Sequence, residues 1–175
     1  MLSEKMAGLL NQQINMEFYS SNLYLQMSAW CQSRGLEGCA SFLRRHTGEE
    51  MMHMQKMFDY VTESGRMALV GAIAAPTAEF STPAALFQAA YSHEQQVTAN
   101  ISSLVEASLA ERDFSTLNFL QWFVSEQHEE EALYRSILDK FELIGTGGQG
   151  LFFIDREIGL LAVGTAGTSP APSAT

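Results

Sequence analysis

The chain has 175 residues and a mass of 19.3 kDa, enough for one domain with a sizeable core. Hydrophobic residues make up 46% and charged residues 17%, a composition unlike that of a disordered chain, and no apolar run approaches a membrane span. Twenty acids against ten bases give a net charge of -10 and a pI of about 4.7, which argues against nucleic acid or an anionic membrane as partner and leaves cations.

The opening residues Met1-Leu2-Ser3-Glu4-Lys5 lack the basic flank and apolar stretch of a secretion signal. Residues 1–75 and 84–169 contain no proline, and no glycine lies between Gly71 and Gly145. Such stretches suit long helices. The spacing predicts α1 over roughly 4–33, ended by Ser33-Arg34-Gly35, and α2 over roughly 37–64, stopped at Gly65. Thr82-Pro83 caps and opens α3, roughly 83–110, and Asp113 caps α4, roughly 113–143. A short apolar piece from Leu151 to Leu161 is expected to form α5, and residues 162–175 an unstructured tail. Four helices of about 40 Å, with short α1–α2 and α3–α4 links and a long α2–α3 connection, make an all-α antiparallel four-helix bundle with one crossover. Residues 1–161 are thus expected to form one domain. Cys31 and Cys39 are too few for a disulfide scaffold and lack zinc-site spacing, so a reduced cytoplasmic location is expected.

A soluble bundle buries an apolar stripe on each helix and keeps its carboxylates outside. Here every stripe carries acid near its middle. On α1 it reads Leu10, Ile14, Glu17, Ser21, Tyr24, Ser28, Cys31, and on α2 Cys39, Leu43, His46, Glu50, His53, Met57, Tyr60. On α3 it reads Phe87, Ala90, Glu94, Val97, Ile101, Leu104, and on α4 Phe119, Phe123, Glu126, Glu130, Leu133, Ile137, Phe141. One ionised carboxylate in an apolar core costs several kcal/mol unless it is compensated. No Lys or Arg lies on these stripes, so a metal cation is the economical counterion. Glu50-x-x-His53 sets oxygen and imidazole ligands one turn apart, and Glu17 and Glu94 add one glutamate from each of two other helices. This is the pattern of di-iron and di-manganese carboxylate bundles, with a donor set suited to iron or manganese. His46, His93 and His128 fit the spacing poorly and are expected to be structural or exposed. The methionines Met51, Met52, Met54 and Met57 read as core filling.

Three segments carry a resemblance: Asn15-Met16-Glu17-Phe18-Tyr19-Ser20-Ser21, the run from Phe42 through His46 and Glu49 to Gln55, and Asn118 to Glu131 with Phe119-Leu120-Gln121-Trp122 and Ser125-Glu126-Gln127-His128-Glu129-Glu130. The chain resembles a bacterial non-haem ferritin over residues 1–161. That resemblance implies a cytoplasmic iron store with ferroxidase activity, a hollow homo-oligomer of 24 subunits that oxidises Fe(II) with dioxygen or hydrogen peroxide and holds ferric mineral. It implies a first iron held by Glu17, Glu50 and His53, and a second held by Glu50, Glu94 and Glu130 with Gln127 close by. It further implies a third iron with Glu49, Glu126, Glu129 and the shared Glu130, with Tyr24 as a site-adjacent electron donor and Trp122 as a nearby aromatic. Bacterioferritins carry a second E-x-x-H on the fourth helix, whereas this chain has Gln127-x-x-Glu130. A neutral amide in place of a ligand weakens the hold on the second iron, which suits iron in transit. Met51 matches the haem-ligating position of bacterioferritins, but no haem is expected. The rival readings are a di-iron oxygenase or peroxidase with fixed cofactor, a haem-containing store of the bacterioferritin kind, and a non-catalytic bundle whose core acids are merely hydrogen-bonded.

Overall fold

The computed structural model describes residues 2–164. Five helices follow in order: α1 Glu4–Gln32, α2 Glu37–Glu63, α3 Pro83–Ala110, α4 Phe114–Ile144 and α5 Gly148–Gly164. The first four pack as the expected bundle, α1 against α2 and α3, and α3 against α4, while α5 folds back on α2 and α4. α5 extends beyond the expected 151–161 at both ends, and the rest of the expected tail, 165–175, lies outside the described residues.

The helix starts follow from side-chain caps. The Ser3 hydroxyl accepts from the Met6 amide at 3.0 Å, the Thr82 hydroxyl from Ala85 at 3.0 Å, and the Asp113 carboxylate from Thr116 at 3.0 Å. α1, α2 and α3 end alike, with the chain turning through a left-handed residue at Gly35, Gly65 and Arg112. The amides of Leu36, Arg66 and Asp113 then return to the carbonyls of Cys31, Val61 and Ser108. The crossover is clamped to α1 by two asparagines one turn apart. Asn11 accepts from the Leu69 amide, while Asn15 accepts from the Gly71 amide and donates to the Leu69 carbonyl.

The residue at the N-cap of α2 is Leu36, which has no capping side chain. Asp155 of α5 supplies one from across the fold, its carboxylate accepting from the Gly38 amide at 3.1 Å and the Cys39 amide at 2.8 Å. The approach is close enough that a Cβ on Gly38 would overlap the Asp155 carbonyl oxygen, and one on Gly159 would press on Gly38.

The core divides in two. One apolar cluster runs through Leu23, Met27, Leu43, Phe87, Ala90, Tyr134, Ile137 and Ile158, and the other through Leu10, Ile14, Met57, Val97, Ile101, Leu120 and Phe123. The buried polar residues Glu17, Ser20, His46, Glu50, His53, Glu94, Gln127 and Glu130 lie between them in sequence on each of the four bundle helices. A polar layer therefore crosses the bundle between two apolar plugs.

Asp155→Ala removes the cap of α2 and one link to α5 together. We expect a loss of about 1–2 kcal/mol in stability, read as a lower thermal midpoint by circular dichroism with helix content at low temperature unchanged.

Candidate metal centre

Each of the four bundle helices presents acid to the polar layer, and the spacing of the stripes is what puts it there. The stripes expected on α1 and α3 are buried as drawn, and Glu17 and Glu94 are each 1% exposed. On α2 the expected stripe is buried except for Tyr60, which is half-buried and stacks on Phe119 with ring centroids 3.9 Å apart. On α4 the buried line is Thr116, Leu120, Phe123, Gln127, Glu130, Tyr134, Ile137 and Phe141. Phe119, Glu126 and Leu133, expected in the stripe, sit half-buried at its edge.

Glu17, Glu50 and His53 converge. One ligand atom from each lies within 4.8 Å of the others, and all three residues are buried. The Gln13 amide donates to one Glu17 oxygen at 2.8 Å, and the other Glu17 oxygen is buried with no partner. His53 Nδ1 is 3.4 Å from Glu50 Oε2. Its ring is covered by Trp122, edge-on with centroids 5.3 Å apart, and the Lys56 ammonium stands 4.4 Å above the indole. Glu94 accepts from the Tyr24 hydroxyl and, at 3.0 Å, from the Gln127 amide. Tyr24 in turn stacks on the buried Tyr134. Glu130 is buried, with Oε2 3.3 Å from His46 Nε2.

The three remaining expected ligands lie differently. Glu49 is half-buried, with oxygens 3.7 Å from Arg45 and 3.6 Å from His46 Nδ1. Glu126 is half-buried, 3.9 Å from His53 Nε2, and Glu129 is exposed. Among the histidines set aside on sequence, His128 is exposed, and His93 is half-buried with Nε2 2.7 Å from the Ser20 hydroxyl. His46 is fully buried in the polar layer. Sequence reading also passed over Gln13 and Tyr134, each one turn from an acid on its own helix, the spacing that could have flagged them.

Among the described residues no Lys or Arg forms an ion pair with Glu17, Glu50, Glu94 or Glu130. Burial, then the charge of Glu50, raises the Glu17 carboxyl from its ordinary 4.5 to about 8. Burial, then Glu130, raises Glu94 to about 7. Burial and the Glu94 and Glu130 charges hold Glu50 well above the carboxylate range, and burial raises Glu126. Burial first, then Glu94, holds the Tyr24 phenol in its neutral, donating form. The metal-free site thus keeps protons where a cation would replace them.

These shifts set a pH dependence. An unfolded chain releases the Glu17 and Glu94 protons near 4.5, whereas the folded chain holds them to about 8 and about 7. In that window the unfolded state binds fewer protons than the native one, so metal-free stability is full below it and falls as pH rises through it. We expect the metal-free melting midpoint to drop between about pH 5 and about pH 8, and anaerobic Fe(II) at about pH 6.5 to release protons in a pH-stat. A flat melting profile with no proton release contradicts this account.

Residues 7–144 match the family model described as a ferritin-like domain. A probable bacterial non-heme ferritin-like protein of Haemophilus influenzae is 52% identical over 162 residues, covering 93% of this chain and 98% of its own. The bacterial non-heme ferritin of Escherichia coli O157:H7 is 52% identical over 161 residues, covering 92% and 98%. Among solved structures, the open pore ferritin of Archaeoglobus fulgidus superposes with a TM-score of 0.89 at 46% identity over 91% of this chain and 99% of that one. A Chlorobium tepidum ferritin superposes with a TM-score of 0.82 at 47% identity over 90% and 97%.

Proposed function

Because the chain belongs to the ferritin family, we propose that its buried acid layer is a ferroxidase centre, which takes Fe(II) as substrate and passes Fe(III) to a mineral store. The observation that carries this reading is the convergence of Glu17, Glu50 and His53, three buried side chains on two helices with no lysine or arginine partner among the described residues. Glu17, Glu50 and His53 hold one Fe(II). Glu50, Glu94 and Glu130 hold a second, with Gln127 positioning Glu94 through its amide. Two Fe(II) each give one electron, so dioxygen and two protons leave as one hydrogen peroxide and two Fe(III), with no superoxide released. Hydrogen peroxide is the other candidate oxidant. Carboxylate oxygens favour the harder Fe(III) product, which assists the oxidation. The Tyr24 phenol, hydrogen-bonded to Glu94, stands where it can donate a further electron. Glu49 and Glu126, half-buried, and Glu129, exposed, would serve a third iron in transit.

Assembly is part of the proposal. α5 leaves Phe152 68%, Phe153 52% and Leu160 55% exposed on an isolated chain, apolar surface that a neighbouring subunit would cover. A closed homo-oligomeric shell of 24 subunits in the cytoplasm fits that surface and the relatives. The descriptions of those relatives as non-heme ferritins favour a store without haem, and the absence of a histidine three residues after Gln127 favours iron in transit over a fixed cofactor.

Glu50→Ala and His53→Ala each remove a ligand and leave the bundle's apolar plugs intact. Stopped-flow absorbance under aerobic Fe(II) should show initial oxidation slowed roughly 10- to 100-fold or more. The parent assembly should accumulate far more iron than two per chain. Oxidation at the parental rate in both variants refutes the ferroxidase reading.

A further inference from the structure

Gln13 is only 3% exposed, yet it belongs to two places at once. Its amide donates to Glu17 Oε1 at 2.8 Å, and it lines a cleft of about 210 Å³ between α1 and α3. Across that cleft Gln12, Gln13 and Met16 of α1 stand opposite Asn100, Ser103 and Leu104 of α3. Gln12 and Ser103 are exposed, so the cleft opens to solvent. The carboxylate that Gln13 holds keeps its other oxygen, Glu17 Oε2, buried and without a hydrogen bond. Gln13 is therefore the side chain common to the cleft and the metal layer.

The chemistry of the cleft decides what can use it. None of the residues lining it is Asp, Glu, Lys, Arg or His. Such walls offer a dication amide dipoles and apolar surface, with no charge to offset the hydration it would lose. The acids that reach solvent beside the layer stand on α2 and α4, Glu49 and Glu126 half-buried and Glu129 exposed. Their field draws Fe(II) to that flank and leaves a small uncharged molecule indifferent. Dioxygen has no charge to desolvate, so a neutral passage of mixed amide and apolar lining costs it little. The two substrates thus meet flanks of different chemistry.

We infer that the cleft between α1 and α3 is the entry for the neutral oxidant, dioxygen in the reaction above, which reaches the metal layer past the Gln13 amide. The inference deepens the ferroxidase reading and rests on it. A glutamine can turn its amide between rotamers without moving the helix backbone, so passage does not require the bundle to open. Separate entries also let dioxygen arrive while Fe(II) stays in place, with neither blocking the other.

The test plugs the cleft after the protein has folded. Cys31 and Cys39 are buried, so a cysteine set at the mouth of the cleft can be modified selectively in the full assembly. Ser103→Cys is labelled with a bulky maleimide, and initial Fe(II) oxidation is followed by stopped flow over a range of dioxygen concentrations before and after labelling. Ser102→Cys, exposed on the same helix but outside the cleft, is the control. The label on residue 103 should lower kcat/KM for dioxygen roughly 10-fold, with kcat recovered at saturating dioxygen. Anaerobic Co(II) titration, read by absorbance, should give the same rate and extent of uptake before and after. The label on residue 102 should change neither. An unaltered dioxygen dependence at residue 103, or an equal fall at residue 102, overturns the inference and leaves the ferroxidase reading standing. Slower or smaller Co(II) uptake after labelling at residue 103 also overturns it, because the cleft then serves the cation. A parent that neither takes up Co(II) nor oxidises Fe(II) removes the proposed function and this inference together. Should Ser103→Cys fail to assemble, Gln12→Cys on the opposite bank decides by the same outcomes.

Discussion

The architecture turns on carboxylates buried without lysine or arginine partners. Glu17, Glu50, Glu94 and Glu130 lie in the interior of the bundle, 1%, 2%, 1% and 6% exposed, and among the described residues no lysine or arginine pairs with them. A fold selected for stability alone would not keep such a layer, since apolar residues of similar size would hold the helices at least as well. What compensates in the metal-free chain is partial: a glutamine for Glu17, a phenol and an amide for Glu94, and protons held well above the ordinary carboxylate range. The oxygen left unpaired on Glu17 marks where compensation stops, while Glu130 faces the His46 ring at 3.3 Å.

The rest of the fold makes that layer tolerable. Two apolar clusters, one at each end of the bundle, tie the helices together, so the middle need not contribute to cohesion. Capped helix starts and left-handed ends at Gly35, Gly65 and Arg112 fix the register with which the four acidic positions meet. α5 closes one end through Asp155 and the glycine contact at Gly38. Apolar ends with a polar, proton-holding middle give a layer whose side chains are already placed in the metal-free chain. Membership of the ferritin family accords with this division of labour.

Much of this was legible in the sequence, because proline and glycine are confined to the connections. The four long helices begin and end within one or two residues of where the breakers place them. The stripes of α1 and α3 were legible for the same reason, each having a single acid in an otherwise apolar or small line. α4 was harder. After Phe123 a step of three reaches Glu126 and a step of four reaches Gln127, and a period of 3.6 allows both. The fold takes Gln127, because its amide meets Glu94 on another helix, a contact invisible within α4. His46 was obscured likewise, since its meaning depends on Glu130 across the bundle. The start of α5, expected at Leu151, lies at Gly148 instead. Gly150 allows close packing on the Gly145 carbonyl, so docking outweighs propensity there.

The central claim is that these acids sit inside for a cation at the expense of the metal-free fold. The most direct measurement is the melting midpoint of a Glu17→Gln, Glu50→Gln, Glu94→Gln variant, recorded at about pH 8 with and without Fe(II) under anaerobic conditions. The account predicts a metal-free midpoint several degrees above the parent's, and no further rise when Fe(II) is added. A variant that melts below the metal-free parent would contradict it, because the carboxylates would then be holding the bundle together themselves.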